Sequence, residues 1–181
     1  MQIISGKYAR RKLIAPQGQE TRPTLARVKE SVFSIIQDRI QDSCVLDIFA
    51  GSGAYAAECV SRGAKEIVLI DQSVEAAKVI KKNLRDMDYN LISFDVEHAL
   101  TRLKNTNKSF DIIFMDPPYD SDLGFVALRL IAKFGLIKPN GIIIFETRAK
   151  NGLPKIPKSY IIQKDRLYGT ARILILEQNN E

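Results

Sequence analysis

Asp116-Pro117-Pro118-Tyr119 places a carboxylate, two residues without a backbone N–H and an aromatic ring in consecutive positions. They follow the apolar run Phe110-Asp111-Ile112-Ile113-Phe114-Met115, whose length and β-rich composition predict a buried strand. Proline fixes its own φ and drives the residue before it toward extended geometry, so the segment is stiff and its carbonyls stay free to accept. In-plane acceptors beside a ring on which a flat group can stack suit a nucleobase with an exocyclic amine. Chemistry on nucleic acid is the expectation. A plain strand end capped by Tyr119 would use the same residues, so other positions must decide.

A second constellation lies upstream. Val45-Leu46-Asp47-Ile48-Phe49-Ala50-Gly51-Ser52-Gly53 reads as a strand running into a glycine turn and then a helix. Gly51 and Gly53 permit a tight turn and close approach of a ligand. Asp47 interrupts the apolar pattern, so it either faces a polar cavity or ties down the turn. Asp71, eighteen residues beyond Gly53, ends a second strand, where an acid pairs with ribose hydroxyls in nucleotide-binding βαβ units. Asp95 ends a third strand and could accept from an adenine amine. Phe49, Ala50, Ser52, Gln72 and Val96 complete the expected nucleoside site. The spacing Gly51-x-Gly53-x-x-Ala56 also fits a dinucleotide fingerprint. A dehydrogenase needs a substrate domain and an acid/base group, and the single histidine, His98, falls in an expected helix as a surface or structural residue. That reading loses.

Positioning these acids takes a layered α/β fold. Strands are expected at 44–49, 66–71, 91–94, 110–115 and 141–147, with helices at 54–62, 73–87, 96–104 and 122–134. Such alternation predicts a mostly parallel sheet with helices on both faces. Two further strands, 159–165 and 171–177, have no helix between them and read as an antiparallel hairpin joined through Leu167-Tyr168-Gly169-Thr170. Upstream, Thr21-Arg22-Pro23-Thr24 can cap a helix carrying Leu25, Val28, Val32, Ile35, Ile36 and Ile40 at helical spacing. Glu146 and Arg148, at the end of the fifth strand, either line the cavity or bond loops.

The 181 residues suit one domain with a substantial core. Residues 1–41 form a basic arm and helix packed on a body of residues 42–181. The arm carries eight basic and three acidic residues; the remainder has 19 and 18. A nearly neutral body with a basic arm predicts a polyanion partner. Arg10-Arg11-Lys12 beside Tyr8 suits RNA, and Arg22, Arg27 and Lys29 are further expected phosphate contacts. No apolar run approaches a membrane span, and no secretory leader is expected. Cys44 and Cys59 lack partners at metal spacing, so no metal is expected and a reducing cytoplasm is.

The motifs Asp47 to Gly53 and Asp116 to Tyr119 together resemble S-adenosylmethionine-dependent amino methyltransferases. Three flanking segments narrow the likeness: Ile3-Ile4-Ser5-Gly6-Lys7-Tyr8-Ala9-Arg10-Arg11-Lys12-Leu13, Arg22-Pro23-Thr24 with Arg27-Val28-Lys29-Glu30-Ser31-Val32-Phe33, and Ser61-Arg62-Gly63-Ala64. These are similar to the RsmD family of bacterial small-subunit (16S) ribosomal RNA methyltransferases, from about Ile3 to the closing hairpin. The resemblance implies a Rossmann-like class I methyltransferase fold, S-adenosylmethionine as cofactor and the 2-amino group of a guanine as acceptor. It implies ribosomal RNA or an assembling small ribosomal subunit as partner, and a monomer. Asp116 and the Pro117 carbonyl would accept the amine hydrogens, with Pro118 stiffening the turn and Tyr119 stacking on a base flipped from its stack. The chain departs from the family pattern at Ala54-Tyr55-Ala56-Ala57, where Tyr55 adds bulk, and at Asp71 and Ser73 in place of a more acidic pair. A DNA amino methyltransferase would need a separate segment to read base edges, for which no length is spare. A non-catalytic RNA-binding protein that kept the fold is the other alternative.

Overall fold

Seven strands are described, those at the centre of the sheet being short β-branched runs because residues buried on both faces of a parallel sheet must be apolar throughout. They are β1 (Cys44–Ile48), β2 (Glu66–Ile70), β3 (Asn90–Ile92), β4 (Phe110–Met115), β5 (Ile137–Arg148), β6 (Tyr160–Tyr168) and β7 (Ala171–Gln178). The helices are α1 (Pro23–Ile36), α2 (Ala54–Ser61), α3 (Val74–Asn83), α4 (Val96–Lys104) and α5 (Leu123–Phe134). The computed structural model describes residues 1–15, 23–118 and 121–179, so Arg22, Tyr119 and the expected cap at Thr21 lie outside the described residues.

One seven-stranded sheet runs in the order β3-β2-β1-β4-β5-β7-β6. The first five strands are parallel, and β7 pairs antiparallel with both β5 and β6. The α/β class, the helices on both faces and the closing hairpin agree with the sequence reading. Alternation along each strand sorts side chains into two cores. Val45, Leu69, Ile112, Phe114 and Ile144 meet α1, α2 and α3, whereas Leu46, Ile48, Ile113, Met115 and Phe145 meet α4 and α5.

Several boundaries differ from expectation. The sixth strand runs Tyr160–Tyr168, so it absorbs Leu167 and Tyr168 of the expected connection, and the third is Asn90–Ile92. The two largest shifts have local causes. Strand β5 starts at Ile137 rather than 141, because Lys138 to Gly141 forms a bulge: Phe110 pairs with Ile137, and Ile112 already with Ile142. Pro139-Asn140-Gly141 carries turn chemistry, with Asn140 at φ +63°, so the run reads as a loop in sequence. Helix α3 stops at Asn83, short of 87, with Asp86 in left-handed geometry at φ +66°.

The amino-terminal segment is a packed strap. Ile3 and Leu13 are buried in the core, and Gln2 bridges antiparallel to Lys12. Between them the chain runs down α2: the Lys7 amide donates to the Ser61 carbonyl at 2.7 Å and the Tyr8 amide to Ser61 Oγ at 2.9 Å. A side chain at Gly6 (φ +86°) would place its Cβ 1.8 Å from the Ser61 carbonyl oxygen, so only glycine fits this crossing. Glu58, fully buried on α2, accepts from the amides of Ile4 (2.7 Å) and Ser5 (3.0 Å) and pairs with Lys29 (3.0 Å) and Arg62 (2.8 Å). Burial alone would raise the Glu58 pKa; the Ile4 amide and the two cations outweigh it and hold the acid below its usual value.

Candidate active site

The chain leaves β1 for β2 on one side and reaches β4, on the other side of β1, only after β3 and α4. Ligands of open α/β sheets bind in the crevice at such a switch point. Register brings the acids there: Ile48 pairs with both Ile70 and Met115, so Phe49, Asp71 and Asp116 emerge side by side from β1, β2 and β4. A cavity of about 670 Å³ opens at this edge. Its lining joins Asp47, Phe49, Ala50, Gly51 and Ser52 from the first loop to Asp71 and Gln72 beyond β2. Asp95 and Val96 at the start of α4, and Asp116, Pro117 and Pro118 beyond β4, line the same space. Gly53 is not on the lining. It sits at φ +70° ahead of α2, where a Cβ would come within 2.9 Å of Leu84, so it shapes the turn from behind.

Hydrogen bonds fix what each acid has left to offer. Asp71 accepts from the amides of Gly51 (2.8 Å) and Ser73 (2.8 Å), tying the β1 loop to the β2 loop. A carboxylate has about four acceptor positions, so capacity for hydroxyls remains. Asp95 caps α4, accepting from the His98 amide at 3.1 Å and meeting the His98 ring at 2.7 Å, and these bonds lower its pKa. Asp47 is 3% exposed and holds the Ala56 amide at 3.3 Å; desolvation raises its pKa to about 8. Water reaches Asp116 through the cavity, but protein surrounds it on most sides. That enclosure, followed by the charges of Glu146 and Asp47, drives its pKa well up.

Three residues that sequence reasoning left open or missed join the site. Tyr55, noted only as bulk near the loop, turns beneath the cavity, stacks on Phe114 (4.7 Å between ring centres) and donates to Glu146 Oε2 at 3.2 Å. Glu146 therefore lines the cavity rather than bonding a loop. Asn83, without any motif signal, donates to the carbonyls of Ile14 and Ser52 at 2.8 Å each and so fastens the strap to the glycine loop. A polar residue ending a helix is too common a pattern to have shown this.

The expected RNA contacts separate. Arg10, Lys12 and Arg27 are exposed, while Tyr8 and Arg11 are half-buried, with the Arg11 guanidinium 4.5 Å over the Tyr8 ring. The Tyr8 hydroxyl donates to the Asp86 carbonyl and Arg11 to that of Arg85, just beyond the end of α3. Lys29 corrects the reading: it is 5% exposed, with its ammonium on Glu58 and the Gln2 carbonyl at 2.8 Å. It holds the strap in place of presenting a free charge to phosphate. Met1 and Ala15, the two ends of the strap, border the cavity.

Among the described residues no helix is long and apolar enough to cross a membrane. The family model described as Conserved hypothetical protein 95 matches residues 1–177. Ribosomal RNA small subunit methyltransferase D of Escherichia coli (strain K12) is 30% identical, over 93% of this chain and 85% of its own length. The protein of that name from Haemophilus influenzae is 32% identical, over 93% and 89%. The solved structure of yhhF from Escherichia coli superposes with a TM-score of 0.85 at 26% identity, covering 100% of this chain and 99% of that one. A match over nearly the whole length, to relatives named for one activity, means that the chain belongs to the family described as Conserved hypothetical protein 95, the RsmD family of ribosomal RNA methyltransferases.

Proposed function

We propose that this enzyme transfers a methyl group from S-adenosylmethionine to the exocyclic 2-amino group of a guanine in 16S ribosomal RNA, free or within an assembling small subunit in the cytoplasm. The observation that carries the proposal is Asp116, with its rigid Pro117-Pro118 neighbours, in one cavity with Asp47, Gly51 and Asp71.

The cavity's donor set fits the cofactor. A cation is favoured where the carboxyl groups of Asp47, Asp116 and Glu146 cluster, each with a raised pKa. Asp71 has acceptor capacity to spare for ribose hydroxyls, and at Gly51 no heavy atom lies within 3.9 Å of a built Cβ, leaving room for a close ligand. When bound, S-adenosylmethionine supplies a methyl group made electrophilic by a sulfonium.

The chain's own residues must make a poor nucleophile competent, because the guanine amine delocalises its lone pair into the ring. Asp116 and the Pro117 carbonyl accept the amine hydrogens, which favours a pyramidal nitrogen with its lone pair freed. Prolines at 117 and 118 hold those acceptors still, so positioning and electrostatics carry most of the rate. Tyr119 stacks on the extruded base. Asp116, with its raised pKa, is suited to receive the proton that the methylated amine sheds.

Mass mapping of 16S ribosomal RNA from cells lacking the protein, before and after treatment with protein and labelled cofactor, tests this reading. One guanine gaining label at its 2-amino group is the expected result. Running naked RNA and isolated 30S subunits as separate arms identifies the substrate form. Label on adenine, or none in either arm, overturns it.

A further inference from the structure

The proposed reaction leaves Glu146 without a role. It is 4% exposed and lines the cavity, and its Oε1 has no hydrogen-bond partner among the described residues. A buried carboxylate oxygen left unpaired carries its full desolvation penalty, so its retention calls for a donor that arrives with a ligand. Its companion Oε2 is held by the Tyr55 hydroxyl at 3.2 Å, and Tyr55 is itself fixed between Phe114 and Phe33, with ring centres 4.7 Å and 5.9 Å away. Lys29, the cation that lines the same cavity, is committed to Glu58 at 3.0 Å.

Register gives the orphan oxygen its neighbour. Met115 pairs with Phe145 in parallel, so Asp116 and Glu146 leave adjacent strands at one level. Alternation puts both on the face carrying Phe114, Ile144 and α2, with Asp47 one strand away on the same face. Two adjacent carboxylates thus face one cavity, one rigidly backed by prolines and one oriented by a tyrosine.

We propose that Glu146 reads the Watson–Crick edge of the target base, its Oε1 accepting the N1–H of guanine beside the amino group that Asp116 receives. The proposal rests on the guanine reading above and deepens it from a reaction to a selection rule. Guanine presents N1–H and the 2-amino group as neighbouring donors; adenine and 2-aminopurine present an acceptor at N1. A carboxylate rewards the first pattern and repels the second, whereas Asp116 alone sees only an amine. Burial raises the Glu146 pKa and the Tyr55 bond opposes that rise, so the arriving N1–H supplies a partner that the ligand-free carboxylate lacks.

The test uses 16S ribosomal RNA ligated around a synthetic segment carrying guanine or 2-aminopurine at the mapped position. The wild-type enzyme should favour guanine by roughly 10- to 100-fold in kcat/KM, the discrimination typical of one bidentate base contact. In Glu146→Gln the amide can donate to an N1 acceptor, so the ratio should fall at least about tenfold, chiefly through a gain on 2-aminopurine. Melting temperature of the ligand-free variant should match or exceed wild type, because a buried charge is removed. A ratio unchanged in Glu146→Gln, or a wild type that uses both bases equally, overturns the inference; the second result needs no variant. A lowered melting temperature with both rates reduced in proportion marks Glu146 as structural and also overturns it. Absence of transfer to the guanine RNA by wild type would instead defeat the underlying guanine reading.

Discussion

Burial pushes up the pKa values of Asp47 and Glu146, and enclosure together with those two neighbouring acids does the same at the solvent-reached Asp116, an arrangement that favours a cationic ligand over stability of the empty site. At Asp47 the unfolded chain releases its proton near 3.8, and the folded chain holds it to about 8. The stabilisation from this group is complete below the lower value and is lost as pH rises through the upper one, by up to about 1.4 kcal/mol per unit. Asp47→Asn should flatten the decline of ligand-free melting temperature between pH 4 and 8. Asp116→Ala should lower kcat by about 10² or more, with a far smaller loss of cofactor affinity by calorimetry. Asp71→Ala should chiefly weaken cofactor binding, since it also releases the Gly51 amide. The acids were legible because each breaks an apolar run at a strand end. The Tyr55–Glu146 pair was not: its members are 91 positions apart, and neither belongs to a motif.

At the scale of elements, sequence reading located the seven strands and five helices of the described residues; for β1, β2 and β4 the signal is strong because burial on both sheet faces enforces uninterrupted apolar runs. It failed at the bulge in β5, where turn residues sit inside a ladder. Along the strap, the charges at Lys7 to Lys12 drew the reading, but the segment is held by Ile3, Leu13 and Glu58, whose effect depends on distant contacts. Glu58 therefore anchors an element it does not belong to. Glu58→Gln should destabilise the fold by about 3 kcal/mol in urea titration, since it strands Lys29 in the core. Its folded pKa is depressed, so this contribution is present above the ordinary value of 4.5 and disappears as pH falls through the folded one.

Across the whole molecule, the strap reaches the Ser61 end of α2 at Lys7 and Tyr8 and returns, while its two ends, Met1 and Ala15, border the cavity. Eight residues of helix span about 12 Å, so RNA engaging both that turn and the cavity must lie along that face rather than enter end-on. Reversing charge at Arg10 and Arg11 should weaken RNA binding and reduce the slope of affinity against salt by about one for each phosphate no longer neutralised. Turnover at saturating RNA should change little, because neither residue borders the cavity. The strap also fixes where foreign polypeptide can be attached. Met1 stands at the lip of the cavity, whereas β7 runs away from it, with Ala171 opposite Arg148 and Glu177 opposite Ile142. An affinity tag joined ahead of Met1 would crowd the entrance for RNA, while one joined after β7 would emerge on the far side of the sheet.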